Sequence, residues 1–254
     1  MQVLRNSHRH HHNSGQDAAA AYRAKILATG PIAYWPLYET AGAVAANLGS
    51  LGAAANGAYT GVTLADAAGP NGDPCPFFDG ANDYTNIYSP ALNAAMLGGA
   101  GDEGSMMCWA RVSGAGVWAD GVDRRIVNLG AGVDYIYISR SATNNFITFA
   151  YRASGGGALF DSVSGVVGPN PNWIPFALTW THAGGDELTA YVNDVQFGLT
   201  QTGLATWITA LLAAGCHIGA YNATPLKVWS GWLAHAAMWD RPLTPAEVAA
   251  LAVV

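Results

Sequence analysis

The side chains able to do chemistry are few and far apart. Glu39, Glu103, Glu187 and Glu247 are the glutamates, and no Glu-x-Asp-x-x-Glu string occurs. Paired carboxylates that attack and protonate across one glycosidic bond need close, alternating positions, so hydrolysis of that kind is not expected. Glu187 reads as a turn residue and Glu247 as part of a helix cap. His182, His217 and His235 each lie in or beside an apolar stretch, where a structural histidine is the plainer expectation. There is no Gly-x-Ser-x-Gly elbow, no P-loop and no GxGxxG leading into a helix, and Gly155-Gly156-Gly157 reads as a loop. Neither an enzyme nor a cofactor is expected. Cys75, Cys108 and Cys216 are odd in number, and runs such as Met106-Met107-Cys108-Trp109-Ala110 mark them as small core residues.

Binding chemistry has better candidates. Aromatic rings stack on the apolar faces of sugars while amides and carboxylates fix hydroxyl groups, and loop segments supply Trp118, Asp120, Trp207, Tyr221, Asn222 and Trp229. A competing reading puts the tryptophans in the core, because 9 tryptophans in a two-layer fold are mostly buried. The second candidate surface is the N-terminal arm, with His8, His10, His11, His12 and, further on, Tyr22. Residues 1–15 are polar and unpatterned, and three readings stand side by side: a purification tag, a solvated tail, or an arm that docks on a partner or metal.

The elements that must position these groups are mostly strands. Hydrophobic residues make up 51% of the 254 and charged residues 11%, with 31 glycines suited to tight turns. So weakly charged a surface suits contact with other protein, and a homo-oligomer is expected. The net charge is −6 and the one basic cluster is Arg5 to Arg9, so no nucleic-acid partner is expected. No apolar run approaches the ~20 residues that span a bilayer, and no signal-peptide core is present, so neither a membrane partner nor classical export is expected.

Residues 17–28 read as a short helix with Asp17 near its start, Tyr22, Ile26 and Leu27 on one face, and Gly30-Pro31 ending it. Strand signals follow at 32–37, 75–78, 84–87, 105–112, 125–129, 134–139, 146–151, 174–182, 188–192, 216–218 and 229–239. The clearest hairpin alternates Phe176, Leu178 and Trp180 with polar neighbours, turns at Gly184-Gly185, and returns with Leu188, Ala190 and Val192 on one face. The segment 229–239 is apolar on both sides and should be covered on both faces. Thr244, Pro245 and Glu247 then read as N-cap, first helical residue and reciprocal glutamate of a capping box. The expected organisation is an arm and short helix over 1–29 and one domain over 30–254. That domain is an all-β, two-sheet antiparallel sandwich closed by a short C-terminal helix.

Three blocks carry a family likeness. The first joins AYWPLYETAG at 33–42 to FDGANDYTNI at 78–87. The second is Trp173, Ala177, Thr179, Tyr191, Val192 and Asn193, and the third is Gly231, Leu233, Trp239, Arg241, Leu243, Thr244 and Glu247. Together they resemble the concanavalin A-like jelly-roll superfamily, in particular its laminin-G-like modules, over residues 30–254. The resemblance implies a jelly roll. The family often has Asp-Glu in its final strand where this chain has Ala234 and His235, so a metal site there is not expected. Asp79 and Asp83 remain candidate ligands for a structural calcium, against a plainer reading in which Asp79 and Asn82 hold a turn. Similar modules carried by bacteriophage particles imply a structural virion protein, a capsid decoration or tail component, attached to other structural proteins through its arm. The alternative implied by the fold is a carbohydrate-binding module for surface glycans, in an extracellular or cell-surface setting.

Overall fold

The computed structural model describes residues 7–153 and 159–254, with side-chain surroundings throughout except at 7–14, 131 and 159–163. Residues 1–6 of the arm, the glycines 155–157 and the side chains of His8, His10, His11 and His12 lie outside what is described. In chain order the elements are α1 (Ser7–Ala28), β1 (Ala33–Trp35), β2 (Val44–Ala45), β3 (Gly57–Thr60), β4 (Thr63–Ala68), β5 (Pro74–Asp79), β6 (Tyr84–Asn86), α2 (Pro90–Ala95), β7 (Gly104–Val112) and β8 (Arg124–Ala131). They continue with β9 (Asp134–Arg140), β10 (Phe146–Ala153), β11 (Leu159–Val166), β12 (Ile174–Thr181), β13 (Glu187–Val192), β14 (Val195–Gln196), β15 (Gln201–Thr202), β16 (His217–Ile218), β17 (Ser230–Trp239) and α3 (Pro245–Leu251).

These strands form two antiparallel sheets, the all-β sandwich expected from the alternating pattern. The first runs β14-β13-β12-β7-β17-β5-β4, with β1 added to β17 and β15 to β13; the second runs β11-β10-β9-β8-β16-β6-β3-β2. The hairpin of β12 and β13 has the expected register, pairing Phe176 with Val192, Leu178 with Ala190 and Trp180 with Leu188. Phe176, Leu178, Trp180, Leu188 and Ala190 fall in the main core between the sheets, together with Trp35, Ile126, Leu129, Ile136, Ile138, Phe149 and Trp229. At roughly 1.5–3 kcal/mol for each large apolar side chain removed from water, this layer is the chief source of stability.

The chain's two ends meet on β17. Its first half pairs with β5 and β7, and after a bulge between Ala234 and Ala237 its second half pairs with β1 and β7. At the bulge His235 takes a positive φ of 51° and its N–H bonds to the carbonyl of Pro36. Gly231 in the same strand has φ 141°, and a Cβ there would lie 2.1 Å from the Arg111 carbonyl, so only glycine allows β17 to lie this close to β7. The strand is buried on both faces, as its two-sided apolar pattern implies.

The outer cover of β17 is helical. Ala19, Tyr22 and Ile26, spaced at i, i+3 and i+7, are buried by α1 against a second apolar layer of Tyr34, Trp109, Ala234, Ala237, Trp239, Val248 and Leu251. The Trp109 indole N–H donates to the Tyr22 hydroxyl at 2.6 Å, and that hydroxyl donates to the Leu251 carbonyl at 2.6 Å. Two expectations change here. The helix begins at Ser7 rather than near Asp17, because no proline interrupts the upstream segment. Leu27, expected on the buried face, is 39% exposed. The C-terminal capping box is present as read: Thr244 caps Glu247, whose carboxylate returns to the Thr244 N–H at 2.8 Å and pairs with Arg241.

Candidate binding cleft

A cleft of about 320 Å³ opens on the outer face of the second sheet, lined by residues that include Asn128, Gly130, Tyr135, Leu212, Gly215, Tyr221 and Asn222. Its volume lies in the range of small-ligand sites. Strand alternation makes the floor. Leu129, Ile136 and Ile138 point into the core, so Asn128 and the half-buried Tyr135 and Tyr137 are set on the opposite face. Asn128 stands across from Tyr137, and Gly130 across from Tyr135.

Two connections build the walls. The 3-10 turn Ala213–Gly215 lies against β8, and a Cβ on Gly215 would come within 3.0 Å of the Gly130 carbonyl, so the glycine pair permits the approach. The second wall is the loop 219–229, which leaves and rejoins the sheet through the Trp229 N–H on the Gly219 carbonyl at 2.7 Å. Within it Tyr221 N–H bonds to the Leu226 carbonyl, and Asn222 Oδ1 accepts from Leu226 N–H at 3.3 Å. Asn128 ties both walls to the floor by donating from Nδ2 to the carbonyls of Gly215 at 2.7 Å and Tyr221 at 3.3 Å. Its Oδ1 is buried without a hydrogen-bond partner among the described residues. Tyrosine rings and a half-exposed Leu212 beside the amides of Asn128 and Asn222 make a lining suited to a ligand with both apolar faces and hydroxyl groups.

Of the sequence-derived glycan candidates, the fold brings Tyr221 and Asn222 into this cleft and leaves the others out. Trp118 is buried, with its indole N–H on the Asn170 carbonyl at 2.7 Å and Gly168 against its ring. Trp207 is buried against Tyr151 and Gly101, its backbone N–H held by Asp102 at 2.6 Å. Trp229 is fully buried in the main core. None of these rings has a face open for stacking, because each closes a gap between the sheets. Asp120 is committed to protein: it accepts from Arg124 Nη2 at 2.7 Å and faces Arg140 at 2.9 Å. Partial burial opposes its charge, but the Val122 N–H and the two guanidinium groups outweigh that and hold its carboxyl below the ordinary value. Tyr22, expected to meet a partner, is 2% exposed beneath α1.

The remaining chemical groups have structural partners. Asp79 Oδ1 accepts from the N–H groups of Ala81 and Asn82, and Asp83 from that of Asp79, so the turn is held mainly by its aspartates. Among the described residues no group of three or more His, Cys, Asp or Glu is placed to hold a metal. Burial raises the Cys75 and Cys216 thiols to about 12, and all three cysteines are buried and unpaired. Burial likewise lowers His217 to about 4 and His235 to about 3. His182 is partly exposed between Asp186 at 2.6 Å and Asp102 at 3.5 Å, and no serine or cysteine hydrogen-bonds to it among the described residues. Sequence reasoning missed Asn128 and Tyr135; the Tyr135-Ile136-Tyr137 alternation was the available signal.

The architecture and the outward-facing cleft define a two-sheet β-sandwich of lectin-like fold. The sequence matches no family model and no curated protein. Among solved structures, the chain is similar to the botulinum neurotoxin serotype C1 binding domain, with TM-score 0.62, 10% identity, and coverage of 88% of this chain and 52% of that one. It is also similar to the binding domain of botulinum neurotoxin DC in complex with rat synaptotagmin II, with TM-score 0.61, 11% identity and coverage of 88% and 51%. A third similar structure is the botulinum neurotoxin type G receptor binding domain, with TM-score 0.59, 13% identity and the same coverage. The chain therefore spans about half the length of the structures it resembles. At such identity the likeness concerns the fold. No helix among the described residues is long and apolar enough to cross a membrane.

Proposed function

We propose that this chain is a non-enzymatic binding module that recognises a carbohydrate at a cell surface through the cleft between β8, β9 and the loop 219–229. The observation that carries this reading is the convergence, in one cleft, of Tyr221, Asn222, Tyr135 and Asn128. Sugars need this combination of ring faces and fixed polar atoms. Likeness to domains whose structures are described as receptor-binding supports it at the level of the fold. The other expectation, a virion component attached by its arm, has to rely on residues upstream of the docked part of α1, because Tyr22 and Ile26 are buried on the protein's own sheet.

A glycan array probed with the intact chain and with Tyr221→Ala tests the proposal. Binding of at least one saccharide, reduced about tenfold or more by removal of the tyrosine face, is the expected result. A blank array, or binding indifferent to Tyr221, overturns it.

A further inference from the structure

The basic residues of this acidic chain are unevenly placed. Arg124, Arg125, Arg140, Arg152 and Lys227 are five of its 11 lysines and arginines, and all lie on the second sheet or in loop 219–229. Three of them, Arg152, Arg125 and Lys227, join three tyrosines in a continuous row. Arg152 lies 5.9 Å from the Tyr135 ring, the Tyr135 and Tyr137 rings are 5.3 Å apart, and Arg125 lies 3.5 Å from the Tyr137 ring. Arg125 is also 5.5 Å from the Tyr221 ring, and Lys227 reaches the same ring at 5.5 Å. Tyr135 and Tyr221 line the cleft, so the row runs along its wall.

The local charge does not cancel. Arg125 and Lys227 share Asp123, at 3.7 and 2.6 Å, and Arg124 and Arg140 share Asp120. Asp134, at the near end of β9, is fully buried and accepts from Thr209. Arg125 is 5% exposed, and its Nε and Nη1 are buried without hydrogen-bond partners among the described residues. A guanidinium in that condition exerts a field that water screens poorly. Against a net charge of −6, such a patch is a local point of attraction for anions.

We infer that the cleft selects acidic saccharides, its cation–tyrosine row drawing a sugar carboxylate or sulfate toward Arg125 and Lys227 while Tyr221 takes the ring face. This rests on the cleft being a saccharide site. Neutral sugars would lack the electrostatic part of the attraction, and an acidic peptide would lack the ring faces that Tyr135 and Tyr221 accept.

Calorimetric titration of the full chain tests the inference, using one neutral oligosaccharide and its carboxylated and sulfated counterparts, with inorganic sulfate and polyglutamate as controls. The acidic counterparts should bind at least tenfold more tightly than the neutral one and weaken as salt is raised. Lys227→Gln and Arg152→Gln, both at partly exposed positions, should each weaken the acidic ligands about three- to tenfold more than they weaken the neutral one, with unchanged thermal unfolding as the check on folding. Equal binding of neutral and acidic sugars overturns this inference and leaves the carbohydrate cleft standing. No binding of any saccharide overturns both, and polyglutamate or sulfate binding as strongly as the acidic sugars shows attraction by charge alone and overturns the selectivity for saccharides.

Discussion

Replacing His217 by phenylalanine should stabilise the protein, and should do so more strongly in acid. His217 is fully buried on β16, its ring set edge-on to Tyr84 with centroids 5.1 Å apart, and neither ring nitrogen has a hydrogen-bond partner among the described residues. Burial lowers its folded-state value from 6.5 to about 4. The unfolded chain therefore binds the extra proton between those values, and stability falls as pH drops from about 6.5 toward 4. For one such group the loss between pH 7 and about pH 5 is about 2 kcal/mol, a little over half of the limit of about 3.4 kcal/mol reached below pH 4. Phenylalanine keeps the aromatic contact and removes both the proton equilibrium and the two unpartnered nitrogens. Urea unfolding followed by tryptophan fluorescence, on both proteins at both pH values, measures the difference. Carboxylates such as Glu247, lowered to about 2 mainly by Arg241, contribute equally to both proteins and cancel. The expected outcome is an advantage for His217→Phe that is larger at pH 5 by about 2 kcal/mol. An advantage that is the same at both pH values within about 0.5 kcal/mol would show that His217 does not titrate as its burial requires.

Tyr22→Phe removes a hydroxyl that accepts from Trp109 and donates to Leu251, leaving two buried polar groups without partners; a loss of about 2–4 kcal/mol in urea unfolding is expected, and a neutral result would contradict the docking of α1. Deleting residues 1–14 should leave the melting temperature within about 3 °C, whereas deleting 1–28 uncovers Tyr34, Trp109 and Trp239 and should give an aggregating or sharply destabilised protein. Thermal unfolding with light scattering distinguishes the two deletions.

Much of the fold was legible because its signals are local. Alternation over Phe176–Trp180 and Leu188–Val192 sets the hairpin register, and Thr244-Pro245-x-Glu247 writes a capping box into four residues. Strand β11, absent from the strand signals, shows no clean alternation in Leu-Phe-Asp-Ser-Val-Ser-Gly-Val, and β3 and β4 are built largely of small residues whose pattern is too weak to mark a face. The helix α2 was missed although Ser89 caps it and Pro90 opens it, because six residues are too few for a helical period. For the site, Tyr221 and Asn222 were found by residue type and loop position. Trp118, Trp207 and Trp229 meet the same two criteria and are buried, since a tryptophan in a connecting segment can turn inward to seal the layer beneath it.

The sequence by itself determined the two-sheet antiparallel class and the capped closing helix, because each follows from side-chain period or from contacts a few residues apart. Only the tertiary structure decided where binding chemistry gathers. Residues 128, 135, 212, 221 and 222 are brought together because β16 inserts between β8 and β6, carrying the turn before it and the loop after it over the outer face of β8. The orphaned Asn128 acceptor and the cation–tyrosine row follow from that insertion, since strands far apart in sequence share a face only once the sheet order is fixed.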